Sequence, residues 1–317
     1  MRRYLVRRLL QIVPLLLGIS IVVFLVIQAA PGGPEASLLG AGKFVDPEVI
    51  ESYRRRLGVD QPITVQYFRW LGAALQGDLG VSFSTSRPVL AVIAERLPAT
   101  LELMGVGFLL AAALAIPLGL YGALRPGSGG DVVGTGAAFL GLAMPVFWFG
   151  LILQLVFSVR LGWLPVAGTG TVGATSLGDH LLHLILPSVV LSTRYLAGWS
   201  RYFRSSLLAS WRADFVRTAR AKGLRDRAVL AGHVVRTALI PLVSVMALNA
   251  AELVSGAVIT ETVFAWPGIG RLFVQAMFAR DYPVLMGVLL MGAAAVIVVN
   301  LLADVGYALL DPRIRYD

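Results

Sequence analysis

Six windows of about twenty apolar residues decide what this chain can become. They run approximately from Leu9 to Ala30, Leu101 to Leu124, Val132 to Val159, Leu184 to Tyr202, Ala238 to Thr260 and Val284 to Tyr307. Hydrocarbon offers backbone N–H and C=O groups no partner, so a crossing segment of this length must bond within itself as a helix. The expected fold is all-α, a polytopic membrane protein with six transmembrane helices. Composition agrees: at 57% hydrophobic, 14% charged and a mean hydropathy of +0.78, the chain lacks the polar residues for a water-facing surface. Arg2, Arg3, Arg7 and Arg8 precede the first window and Gln28-Ala29-Ala30 closes it, as in a secretory signal. Its apolar run exceeds the roughly 7 to 15 residues of such a signal's core, and it is read as a retained span.

Charge orients the spans. With the N-terminus inside, the inner segments hold sixteen basic and five acidic residues, a net of +11, whereas the outer segments hold ten of each. That is the positive-inside pattern and places both termini in the cytoplasm. It also accounts for a pI near 10.3 without nucleic acid, for which no water-exposed domain with groove-reading elements is visible. The chain contains no cysteine, which excludes disulfides and thiol chemistry.

The organisation reads as residues 1–30, a cytoplasmic N-terminus and first span; 31–100, an extracytoplasmic loop with short helices; and 101–317, a core of five spans with a cytoplasmic loop at about 204–237. In the outer loop, Asp46-Pro47 opens a helix that Gly58 ends, Ile63 to Leu75 forms a second, and Pro88 to Leu97 a third that feeds the second span. Small residues four apart, Ala137 and Gly141 in the third span and Ala247, Ala251 and Ser255 in the fifth, allow close helix approach. Pro117, Pro145, Pro187 and Pro241 interrupt spans.

Motifs for chemistry are missing. The only lysines, Lys43 and Lys222, sit in no phosphate-binding loop, and neither a nucleophile elbow nor an HExxH helix occurs. No catalytic residue and no bound cofactor are expected. His180 and His183 in "GDHLLH" stand three apart beside Asp179 but lack a third strong ligand, so they read as interfacial polar residues rather than a metal site. Charges inside spans are costly and therefore informative. Arg194 lies deep in the fourth span and Glu252 mid-way along the fifth, where Asn249, Glu252, Ser255 and Gly256 make one face polar and notched. Either these residues wall a translocation pathway or Arg194 and Glu252 form an ion pair that fastens helices.

The segment "DFVRTARAKGLRDRAVLAGHVVRTALIP", residues 214–241, stands apart. Asp214 is placed to cap a short helix in which Phe215, Val216 and Ala219 form an apolar ridge, with Arg217, Thr218, Arg220 and Lys222 around it. Gly223 would end that helix at positive φ. Asp226 then caps a second helix that runs into the fifth span. The result is a stubby crosswise helix tied at both ends to spanning helices, a shape suited to passing on motion.

"RTARAKG", followed eighteen residues after its glycine by the proline of "ALIP", resembles the cytoplasmic EAA loop of bacterial ABC importer permeases, with Gly223 and Pro241 in the glycine and proline positions and Arg217-Thr218-Ala219 replacing Glu-Ala-Ala. "LGVDQPITVQYFRWL", "GDLGVSFSTSRPV", "RLPATLEL", "LPVAG", "ETVFAWPGIGRL", "ARDYPV" and "ALLDPRIRY" extend the likeness over nearly the whole chain, to the first permease subunit of dipeptide and oligopeptide importers, a branch that includes nickel and glutathione carriers. The resemblance implies a second permease subunit, two cytoplasmic ATP-binding subunits that carry the ATP and Mg, and an extracytoplasmic substrate-binding protein. It implies that residues 215–220, Lys222 and Gly223 meet an ATPase, and that the segment from Glu261 to Arg271, with Trp266 and Arg271, lies where the binding protein docks.

Overall fold

A computed structural model describes residues 2–29, 48, 51, 60–173, 176–250 and 257–310. Ala251, Glu252 and Ser255 lie outside the described residues, as does the helix expected between Asp46 and Gly58 apart from Glu48 and Glu51. The described residues are helical apart from turns and one isolated bridge between Val81 and Pro88. Five helices are long and apolar enough to cross a membrane, and a bent pair supplies a sixth crossing if taken as one span.

The chain forms two compact units. One unit comprises Met1–Thr100, Val254–Val258 and Pro267–Asp317. Its helices are α1 (Arg2–Ala29), α2 (Ile63–Leu75), the first part of α3 (Val89–Leu124), α11 (Ile269–Ala279) and α12 (Tyr282–Leu310). Here α2 has the bounds its periodicity predicts. It rests on α1 through Tyr67, whose ring meets Phe24 edge-on and whose hydroxyl pairs with Ser20 at 2.9 Å, while the Gln28 amide donates to Gln66 at 2.7 Å. The core joins Val89, Val92 and Ile93 of α3 to Leu272 and Ala276 of α11 and to Val284, Leu285 and Val288 of α12. A buried carboxylate, Asp281, fastens the turn before α3: it accepts from the Ser82 hydroxyl at 2.5 Å, the Ser84 hydroxyl at 2.7 Å and the backbone N–H groups of Phe83 and Ser84 at 3.1 Å. Four donors satisfy a charge that would otherwise be expensive to bury.

The other unit, Leu101–Leu253 with Ile259–Trp266, holds the rest of α3, α4 (Gly129–Ala143), α5 (Val146–Leu153, continuing as a π-helical stretch over Gln154–Arg160), α6 (Leu177–Trp211), α7 (Asp214–Ala221), α8 (Asp226–Val229, followed by π turns over Leu230–Val234), α9 (Val235–Ala250) and α10 (Val258–Val263), which begins at its edge. Between spanning helices there is little hydrophobic drive, because lipid tails are as apolar as leucine, and close approach takes over. A Cβ added at Gly107 would lie 2.8 Å from Leu191 Cβ, and one at Gly119 would lie 2.7 Å from the Ser200 carbonyl. The two contact points step forward together in sequence, so α3 and α6 run parallel, as the second and fourth crossings of an alternating chain must.

Four expectations change. The third span is not one helix: α4 and α5 meet at 112°, because Met144 and Pro145 are extended and Pro145 has no N–H to continue the ladder. The helix expected to stop at Leu97 instead runs on as α3 to Leu124. In α4, Gly141 does approach Thr193, with a Cβ position 3.2 Å away, but Ala137 is exposed and its neighbour Ala138 is the buried small residue. Pro117, Pro187 and Pro241 all sit within unbroken helices.

Candidate functional site

The connector forms as α7, a turn and α8. Ala213 is extended and occupies the N-cap of α7 without a side-chain bond, so Asp214 is the first helical residue and not the cap. Arg225 does the same for α8, displacing Asp226 by one. Both carboxylates still sit in a first turn, where the helix dipole favours them. Gly223, at φ +81°, ends α7 as expected: its N–H reaches the Arg220 carbonyl at 2.9 Å and the Leu224 N–H reaches the Ala219 carbonyl at 3.3 Å, the paired bonds of a left-handed helix stop.

The expected apolar ridge forms a single arc of α7, with Ala219 between Phe215 and Val216, but its two edges differ in exposure. Successive helical residues point about 100° apart. Val216 and Ala219, at 1% and 7% exposure, face inward and join Phe203 and Leu207 of α6 with Val229, Val234 and Ala238 in one core cluster, while Phe215 is 37% exposed. Val216 and Ala219 therefore cannot enter a partner's groove. The outward stripe is Phe215, Thr218 and Lys222, with Arg217 and Gly223 exposed beside it. Arg220 bridges the connector itself: its Nε donates to Asp226 at 2.9 Å and its guanidinium lies 5.4 Å from the centre of the Trp211 ring.

A second fastening escaped the sequence reading. Asp131, buried at the start of α4, accepts from Arg204 of α6 at 3.0 Å and from the Gly127 N–H at 2.9 Å, while Ser128 caps α4 by accepting from the Asp131 N–H. The signal was present as Ser128-Gly-Gly-Asp131, a capping pattern, but Asp131 counted only as an inner charge.

Of the pathway residues, Asn249 is committed: its Oδ1 accepts from the indole of Trp199 at 3.0 Å, linking α9 to the α6 core. Arg194 is exposed on α6, its guanidinium 5.9 Å from the Tyr195 ring. Glu252 and Ser255 fall outside the described residues. Of the docking residues, Trp266 is fully buried, which removes it from any outer surface. Its N–H returns to the Glu261 carbonyl at 2.8 Å through a turn with Ala265 at φ +49°, and this folds the indole inward beside His180. Arg271 is half-buried on α11. His183 Nδ1 pairs with the Asp179 carbonyl at 2.8 Å, and among the described residues no three His, Asp or Glu side chains gather as a metal site.

Spanning helices held by backbone approach, with an amphipathic connector rooted in their core, describe a multi-pass membrane protein, and the family match makes it a permease subunit of the ABC importer type. The chain belongs to the family of the "Binding-protein-dependent transport system inner membrane component", whose model matches residues 115–316, and the corresponding N-terminal model matches residues 1–104. It is 44% identical to the oligopeptide transport system permease protein AppB of Bacillus subtilis (strain 168), over 100% of both chains. It is 40% identical to the di/tripeptide transport system permease protein DppB of Pseudomonas aeruginosa (strain UCBPP-PA14), over 100% of this chain and 99% of that one. Its fold is shared with the inward-facing MetNI methionine ABC transporter in its CY5 native crystal form, at a TM-score of 0.55 and 16% identity, covering 70% of this chain and 97% of that one.

Proposed function

We propose that this chain translocates di- and oligopeptides across the cytoplasmic membrane by alternating access, paired with a second homologous permease subunit. Full-length identity to AppB carries the choice of substrate class. In this reading an extracytoplasmic binding protein delivers the peptide, two ATP-binding subunits hold ATP and Mg, and this chain binds neither. Both termini and the connector face the cytoplasm, which the asymmetry of basic residues supports.

The connector divides the work between its two faces. Phe215, Thr218 and Lys222 meet the ATPase, with Arg217 at the rim; an apolar anchor beside charged groups is a common recognition pattern. Val216 and Ala219 pass the displacement to α6 and α9, with which they share one core. ATP then acts by favouring one conformation of the spans over the other. Arg194, Glu252 and Ser255 border the route, with Asn249 held beside it by Trp199, and Arg271 contributes to the docking surface for the binding protein.

The test is reconstitution of the chain with its second permease, ATPases and binding protein, followed by uptake of labelled dipeptides, oligopeptides, glutathione and nickel. Peptide uptake that needs ATP, and a Phe215→Asp variant that folds yet binds the ATP-binding subunits more weakly and loses uptake, are expected. Uptake confined to nickel would overturn the substrate class, and normal peptide uptake by Phe215→Asp would overturn the assignment of the outer stripe.

A further inference from the structure

At the end of α6 opposite the connector, His180 holds two oxygen acceptors at once. Its Nδ1 lies 2.8 Å from the Thr169 carbonyl and its Nε2 lies 2.7 Å from Oε1 of Glu102 on α3. A carbonyl only accepts, so Nδ1 must donate to it, and the second contact then needs another hydrogen. Neutral imidazole facing an ionised carboxylate has one hydrogen too few. Both contacts are made only when the ring carries both protons, and the Glu102 carboxylate, with the Thr169 carbonyl, holds His180 in that form to a higher pH than a free imidazole.

We infer that His180 and Glu102 form a proton-requiring latch that positions the loop between α5 and α6 for transport. The loop has its other attachments nearby: the Gln154 amide donates to the Val166 carbonyl at 2.9 Å, the Gly168 N–H to the Phe264 carbonyl at 2.8 Å, and the Thr171 N–H and hydroxyl both to Asp179 at 2.7 Å. Among these attachments, only the one through His180 depends on an imidazole proton. The charged groups facing His180 are Glu102 from α3 and Asp179 from α6 itself, whose carboxylate is taken by Thr171; the loop and the turn after α10 bring Thr169 and Trp266, which do not titrate. The pair is about one-third exposed, at 30% for His180 and 40% for Glu102, so it is not sealed within this chain. As pH rises and the shared proton leaves, two lone pairs face each other at hydrogen-bond distance and Thr169 loses its link to α3. His180 acts through the loop, as a positioning residue.

The inference rests on the proposed orientation only for which compartment's pH is sensed. Because the chain has no cysteine, Val172→Cys, at a fully exposed loop position, gives a unique spin-label site in the full chain assembled with its partner subunits in lipid nanodiscs. From about pH 5.5 to about pH 8.5, which brackets the ordinary imidazole range, the label should change from an immobile to a mobile spectrum. In Glu102→Gln the carboxamide supplies the missing hydrogen to a neutral His180, so the loop should stay immobile across that range. His180→Ala should be mobile throughout. A label indifferent to pH in the parent chain, or a Glu102→Gln chain with the parent's pH response, would overturn the latch. Labelling of the same cysteine by a membrane-impermeant thiol reagent reports the orientation separately.

Discussion

Truncating Val216 to alanine tests which face of the connector is structural. The side chain is 1% exposed among Phe203, Leu207, Val229 and Val234, and the substitution removes two methyl groups from that cluster. At about 0.8 kcal/mol for each buried carbon, with a further contribution from the void left behind, the loss is about 2 kcal/mol. That corresponds to about a 30-fold larger opening constant for α7. Amide hydrogen exchange of the purified chain over residues 214–224 reads it directly. Phe215→Ala, at a position already 37% exposed, should change exchange by less than about 1 kcal/mol yet weaken association with the ATP-binding subunits. The reverse pattern, with Val216→Ala exchanging normally and Phe215→Ala loosening the helix, would refute the assignment of faces.

Gly119→Ala should lower the thermal stability of the purified chain by about 1–3 kcal/mol relative to Gly136→Ala, since both gain the same helix propensity but only the first drives a methyl into a neighbouring backbone. Equal melting temperatures for the two would contradict the close approach of α3 to α6. Asp281→Ala strands two hydroxyls and two backbone N–H groups and should cost about 3 kcal/mol in the same measurement, with the turn at residues 82–84 becoming protease-sensitive. A loss below about 1 kcal/mol would mean that the turn finds other acceptors.

What was legible in the sequence follows from how local the determinant is. Apolar length announces a span wherever it occurs, and α2 was bounded correctly because Pro62 and the Gly77 turn both act on their own neighbours. Gly223 was readable for the same reason. Prolines were not. Pro98, Pro117, Pro187 and Pro241 lie in unbroken helices while Pro145 marks a 112° bend, and the difference depends on surroundings that a one-dimensional reading does not contain. Trp266 was assigned to the docking surface by resemblance alone, which places a segment and not a side chain, and the left-handed Ala265 turns this one inward. The connector's apolar residues were identified correctly as a set, but adjacent positions on a short helix divide between two faces, and which face the chain keeps for itself is settled by Val229 and Val234 of the following segment.

Gly107 and Gly119 touch α6 at two levels twelve residues apart, a separation of about 18 Å along a helix. Two helices joined at one point can pivot like scissors; joined at two, they behave as a plank. Since α6 leads directly into the connector, a push on α7 is borne by α3 and α6 together, and its leverage extends to the far end of the plank instead of dissipating in the bending of a single rod.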